Sequence, residues 1–224
     1  YIVLNFITEL TASYSQNASP EKAGPMEKYM KNNFVYHGLK TELRRSLQKA
    51  ALEKHKDEVK NNAREIALAL YGKKEREFHY SAIEILMMEL KKKFVKQDID
   101  LIEKILVTHP WWDSVDTISK YLLGGYLQQF PWEVYKVVER FSASENIWLN
   151  RAAIIFQLGY KKATNESLLF SECEKHSHSK EFFIQKAIGW ALREYAKTNP
   201  EAVKNFVASA SLKPLSRREA LKNL

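Results

Sequence analysis

Apolar residues recur along this chain at three- and four-residue spacing. Ile118, Tyr121, Leu122 and Gly125 follow i, i+3, i+4, i+7. Ile147, Ala153, Ile154 and Leu158 fall at i, i+6, i+7 and i+11, and Phe183, Ala187, Ile188 and Leu192 at i, i+4, i+5 and i+9, spacings that also suit a helix. That period puts the apolar residues on one face of a helix. No stretch alternates long enough to predict a strand; Phe34-Val35-Tyr36-His37 comes nearest, with Gly38 and Thr41 following as loop and cap. Prolines mark starts. Pro20, Pro110, Pro131 and Pro200 each stand where a first helical turn is expected, a position that needs no backbone N–H. Ser216 and Glu219 have capping-box spacing, Ser144 and Ser179 are cap candidates, and Gly72 and Gly159 are expected helix ends.

About a dozen helices joined by short loops leave a bundle, an irregular globule or a helical solenoid open. The helices pair at intervals of roughly 35–40 residues, within the range of HEAT-like units. No low-complexity stretch or long linker divides the chain, so a single domain over 1–224 is expected.

Hydrophobic residues make up 45% of the chain, enough for a core, and the net charge of +8 favours an acidic partner: nucleic acid first, an anionic membrane surface second. No run approaches the ~20 apolar residues of a membrane span. Cys173 is the only cysteine, which precludes an intramolecular disulfide, fits a reducing cytosol and reads as a core residue. The chain begins at Tyr1 rather than Met, which leaves a removed targeting segment open. His176 and His178 lack zinc-motif spacing. No phosphate loop, nucleophile elbow or His-Glu-x-x-His motif occurs. No metal or organic cofactor is expected.

The segment His109-Pro110-Trp111-Trp112-Asp113-Ser114-Val115-Asp116 stands out. Residues four apart share a helix face, so Trp112 and Asp116 are neighbours. An indole beside a carboxylate is an odd display toward a polyanion; it suits a small positive charge embedded in one, as in alkylated DNA. Trp111, with Val115 and Ile118 behind it, points inward. Asp113 suits a helix start, whereas Asp116 lies a turn further in and needs another reason. The polar faces of Trp112 and Trp190 leave core and contact roles both open. Basic clusters include Arg44-Arg45, Lys91-Lys92-Lys93, Lys161-Lys162 and Arg217-Arg218. Each alone reads as a solvated face; together with the net charge they fit phosphate contact.

Several longer blocks carry a resemblance. Pro25–Asn32, Trp111–Asp116, Asn146–Ala153, Lys180–Trp190, Arg193-Glu194-Tyr195 and Pro214–Ala220 resemble the AlkD-type bacterial DNA alkylation repair glycosylases, from about residue 20 to the C-terminus. The resemblance implies an all-α fold of HEAT-like repeats forming a curved superhelix with a basic concave face for duplex DNA. It implies excision of cationic N3- and N7-alkylpurines such as 3-methyladenine and 7-methylguanine, by a cytoplasmic monomer needing no protein partner. On this chain it gives Asp116 as the catalytic carboxylate, with Trp112 and Trp190 as active-site indoles. Tyr29, Arg151, Arg193, Arg44 and Arg45 become the expected DNA contacts. Two departures bear on DNA affinity: Gly159 stands where a relative has lysine, and Thr41-Glu42-Leu43-Arg44-Arg45 lacks the family's proline. The competing expectations are a non-catalytic HEAT-repeat binder of branched or damaged DNA and a HEAT-type protein scaffold.

Overall fold

The computed structural model describes residues 4–224. These are all-α, with one isolated bridge, Val35 to Glu75, at the segment whose pattern came nearest to a strand. They form two compact units, one through Lys93 and one over Phe94–Leu224.

The first unit holds α1 (Asn5–Gln16), α2 (Pro20–Tyr29), α3 (Thr41–Lys54), α4 (Lys56–Asn61), α5 (Ala63–Tyr71) and α6 (Arg76–Glu89). Its core is aromatic and polar at once. Tyr14 stacks on Phe78 at 5.2 Å and its hydroxyl meets Ser81 Oγ at 2.7 Å. Glu77, fully buried, accepts from the backbone N–H groups of His37, Gly38 and Leu39. It thereby satisfies a loop that no regular element serves. Gly38 is required there: its φ is +88°, and a Cβ would lie 2.1 Å from the Ser19 carbonyl oxygen.

The second unit holds α7 (Asp98–Val107), α8 (Trp112–Thr117), a π-helical segment (Ile118–Leu123), α9 (Gly124–Gln129), a 3-10 turn (Pro131–Glu133), α10 (Val134–Ser142), α11 (Ile147–Ile155), a second 3-10 turn (Lys161–Ala163), α12 (Glu166–Lys175), α13 (Phe182–Ala196), α14 (Pro200–Ser209) and α15 (Pro214–Ala220). Successive helices pack on one another: α5 on α6, α10 on α11, α13 against α14 and α15. This is the helical-repeat class the sequence implies. Ile154, Leu169, Ala187, Ile188, Leu192 and Val207 share one core, and Cys173 is buried in it with its thiol pKa pushed up by desolvation. No described helix is long and apolar enough to cross a membrane.

Several local expectations need correction. Pro110 does not open a helix: His109 takes a left-handed φ of 49°, Trp111 is extended, and α8 begins at Trp112. The chain turns before the helix, so the proline falls in the turn. Ser216 and Glu219 form no capping box, because α15 starts two residues before Ser216. The Ser216 hydroxyl donates to the Gln185 carbonyl and Glu219 pairs with basic residues of α13. Asn146 rather than Ser144 caps α11, Glu181 rather than Ser179 precedes α13, and Thr41 is inside α3. Tyr121 leaves the buried stripe and is 48% exposed. The wider π turn at Ile118–Leu123 breaks the 3.6-residue period there.

Candidate active site in the second unit

Three helices build the site. α8 supplies Trp112 and Asp116, α11 supplies Arg151, and α13 supplies Phe183 and Trp190. α11 packs on both α8 and α13. The close approach of α11 to the helix following α8 is visible at Gly124, where a Cβ would lie 2.6 Å from the Phe156 carbonyl oxygen.

Asp116 and Arg151 meet fork to fork. Arg151 Nε donates to Asp116 Oδ1 at 2.7 Å and Nη2 donates to Oδ2 at 3.0 Å. The third donor direction, Nη1, is taken by the Phe183 backbone carbonyl. The side chains are only 5% and 17% exposed. Arg151 Cζ lies 6.0 Å from the ring centroids of both Phe183 and Trp190, within the range of a cation–π contact.

An aromatic wall stands behind this pair. Trp111, Trp148 and Phe183 contact one another with centroids 5.8, 5.1 and 5.1 Å apart. Trp111 turns inward as its apolar neighbours require, and its Nε1 is buried without a hydrogen-bond partner among the described residues. Trp112 and Trp190 are half-buried. The wall excludes water, and burial is the largest influence on Asp116, pushing its pKa up. The hydrogen bonds and charge of Arg151 oppose that rise, and Asp113 adds to it. The result is a carboxylate held in a dry setting beside a fixed cation.

The other expected residues fall differently. Arg151 is a buried partner of Asp116 and the Phe183 carbonyl. Arg193 donates to Glu219 at 2.7 Å and ties α13 to α15. Arg44, at 3% exposure, lies inside the first unit, forked onto Glu84 at 2.7 and 3.0 Å. Each of these three guanidiniums pairs with a carboxylate, which the sequence pattern did not reveal. Arg45 also pairs with Glu84, yet keeps a side chain that is 63% exposed. Tyr29, at the end of α2, is 70% exposed. Sequence reasoning missed Phe183 as a site residue. The signal was present, since Phe183 sits seven residues before Trp190 on one helix.

Among the described residues no three His, Cys, Asp or Glu side chains cluster as a metal site would need. His176 meets Ser142 Oγ at 2.8 Å, a structural contact.

No curated protein matches the chain. A solved structure described as a predicted DNA alkylation repair enzyme from Enterococcus faecalis is similar to it. The two are 35% identical over 92% of this chain and 96% of that one, with a TM-score of 0.85. Residues 10–224 match the family described as DNA alkylation repair enzyme, and with nearly the whole chain inside that match, the protein belongs to that family.

Proposed function

We propose that the protein is a DNA glycosylase that releases cationic N3- and N7-alkylpurines, including 3-methyladenine and 7-methylguanine, from duplex DNA. The observation that carries this reading is the dry, arginine-held carboxylate of Asp116 on the same helix as Trp112 and one arginine away from Trp190.

Alkylation at N3 or N7 leaves the purine positively charged. When the glycosidic bond breaks, its electron pair goes to the base, which departs neutral and needs no strong acid. Positive charge then builds on the deoxyribose. Ionised Asp116 stabilises that charge, and water adds its oxygen to C1′ and gives up a proton. A preorganised group of this kind supplies roughly 3–4 kcal/mol; the carboxylate roles in glycoside hydrolysis are the chemical parallel. Arg151 keeps the carboxylate ionised and aimed. Trp112 and Trp190 offer π faces to the developing cation, worth ~0.5–2 kcal/mol each. Arg45, Tyr29 and the exposed lysines contact the DNA backbone, and the protein acts as a monomer without a cofactor.

The test is base release from methylated duplex DNA by wild type and by Asp116→Asn. Release by wild type, slowed by roughly 10²–10³ in the variant, supports the reading. Equal release by both removes Asp116 from the chemistry. DNA binding without release by either makes the protein a non-catalytic binder.

A further inference from the structure

Trp132 and Tyr135 are 70% and 66% exposed, three residues apart where the Pro131–Glu133 turn runs into α10. Residues at that spacing share a face. Large rings left in water are common one at a time; two exposed three residues apart are less so. Trp132 packs edge-on against Phe130 at 5.6 Å and 79°. Phe130 rests on Tyr126 at 4.8 Å, and Tyr126 is fully buried. The exposed indole is thus the tip of an aromatic ladder rooted in the core. The Tyr135 hydroxyl accepts from Asn165 Nδ2 at 3.2 Å. Asn165 is itself fixed, taking the Leu168 N–H and giving its own N–H to Gln157. Each ring therefore has a protein neighbour that orients it, Phe130 for Trp132 and Asn165 for Tyr135.

The surroundings select the occupant. A groove beside the rings is lined by Leu127, Pro131, Val134, Phe156, Tyr160 and Ala163. Lys136 follows Tyr135, and Lys161 and Lys162 precede Ala163 at the groove's edge; all three are exposed, against one exposed carboxylate, Glu139, a turn along α10. No exposed Leu, Ile, Val or Met side chain flanks the rings over residues 127–140, as a lipid-inserting face would require. Exposed π faces beside excess lysine match the chemistry of unpaired nucleotides: bases stack on the rings and phosphates meet the ammonium groups.

We propose that this face of the second unit binds single-stranded nucleic acid, with Trp132 and Tyr135 as stacking platforms and Lys136, Lys161 and Lys162 as phosphate contacts. This rests on the surface alone and is independent of the excision reading. The test is binding of a short oligothymidylate, followed by tryptophan quenching and anisotropy at two salt concentrations. The wild type is expected to bind with quenching. The Trp132→Ala/Tyr135→Ala variant should bind at least about tenfold more weakly, with the same melting temperature and the same affinity for intact duplex. Lys161→Ala/Lys162→Ala should flatten the salt dependence. Unchanged oligothymidylate affinity in the aromatic variant would overturn the proposal. So would a parallel loss of duplex affinity, or quenching of Trp132 by anionic phospholipid vesicles and not by the oligonucleotide.

Discussion

The Asp116–Arg151 pair makes a prediction in which the two partners behave unequally. Replacing Arg151 by methionine keeps the stem and removes the guanidinium. The carboxylate then loses bonds of 2.7 and 3.0 Å while remaining at 17% exposure, and the Phe183 carbonyl loses its donor. Removing one member of a buried pair costs about 3–5 kcal/mol. For a chain of this size each kcal/mol moves the melting temperature by ~2–4 °C, so the variant should melt about 6–20 °C lower at neutral pH. Asp116→Asn should fall less. The folded state holds the Asp116 pKa above its ordinary value, so folding favours the neutral carboxyl. A raised acid costs stability once pH passes the unfolded value, and the cost is complete above the folded value. At neutral pH the burial cost of ionised Asp116 therefore offsets part of what Arg151, only 5% exposed, loses with its counter-charge, and Asp116→Asn, which keeps an oxygen acceptor for the guanidinium, should lose less stability than Arg151→Met. Thermal unfolding followed by circular dichroism, at neutral and mildly acidic pH, gives the comparison. The Arg151→Met deficit should shrink on acidification as Asp116 takes a proton, and adding Asp116→Asn to the same chain should recover most of it. An Arg151→Met variant melting with wild type, or an Asp116→Asn variant losing as much as Arg151→Met, would refute the account.

Three further outcomes follow from the same structure. Excision should fall on acidification at a pH above the ordinary aspartate value, because ionised Asp116 is required and burial raises its pKa; a pH–rate profile reads this, and an acid limb at or below the unperturbed aspartate value counts against it. Gly189→Ala should destabilise by about 1–3 kcal/mol, since a Cβ there would lie 2.4 Å from Glu219 Cβ and 3.0 Å from the Ser216 carbonyl oxygen; denaturant melts measure it. Arg44→Met should destabilise the first unit most at neutral pH. Burial raises the Glu84 carboxyl, but its bonds to Arg44 and Arg45 outweigh that and hold it below its usual range. A lowered acid gives stability above its unfolded pKa and loses it as pH falls through the folded one, so the variant's deficit should fade in acid; a pH-independent deficit would be wrong for this pair.

Helix type was legible because amphipathic period and proline positions act locally. Pro20, Pro131 and Pro200 each sit at the start of a helix or 3-10 turn. What failed depends on partners far along the chain. Ser216 has capping-box spacing, yet its hydroxyl finds Gln185, 31 residues away. The π turn that exposes Tyr121 has no composition signature. The Trp112/Asp116 spacing was readable because one helix fixes it. Which carboxylate each arginine would serve was not, since Arg44 and Glu84 are 40 residues apart and Arg151 and Asp116 are 35 apart. A basic cluster records charge; it does not record which charges the fold has already matched.

That distinction changes how the positive charge of this chain should be divided. Arg44, Arg151 and Arg193 neutralise Glu84, Asp116 and Glu219 inside or between helices. Their planar forks suit fixed carboxylates better than a lysine would. Lysines carry most of the exposed charge, on flexible stems suited to following a phosphate backbone. Exposed lysines should therefore set the salt dependence of DNA binding, while Arg151 sets the geometry of the site. Lysine substitutions should change how strongly DNA is held at a given ionic strength. Substitution of Arg151 should change the chemistry while leaving the salt slope in place, and a reduced slope in that variant would return Arg151 to the phosphates.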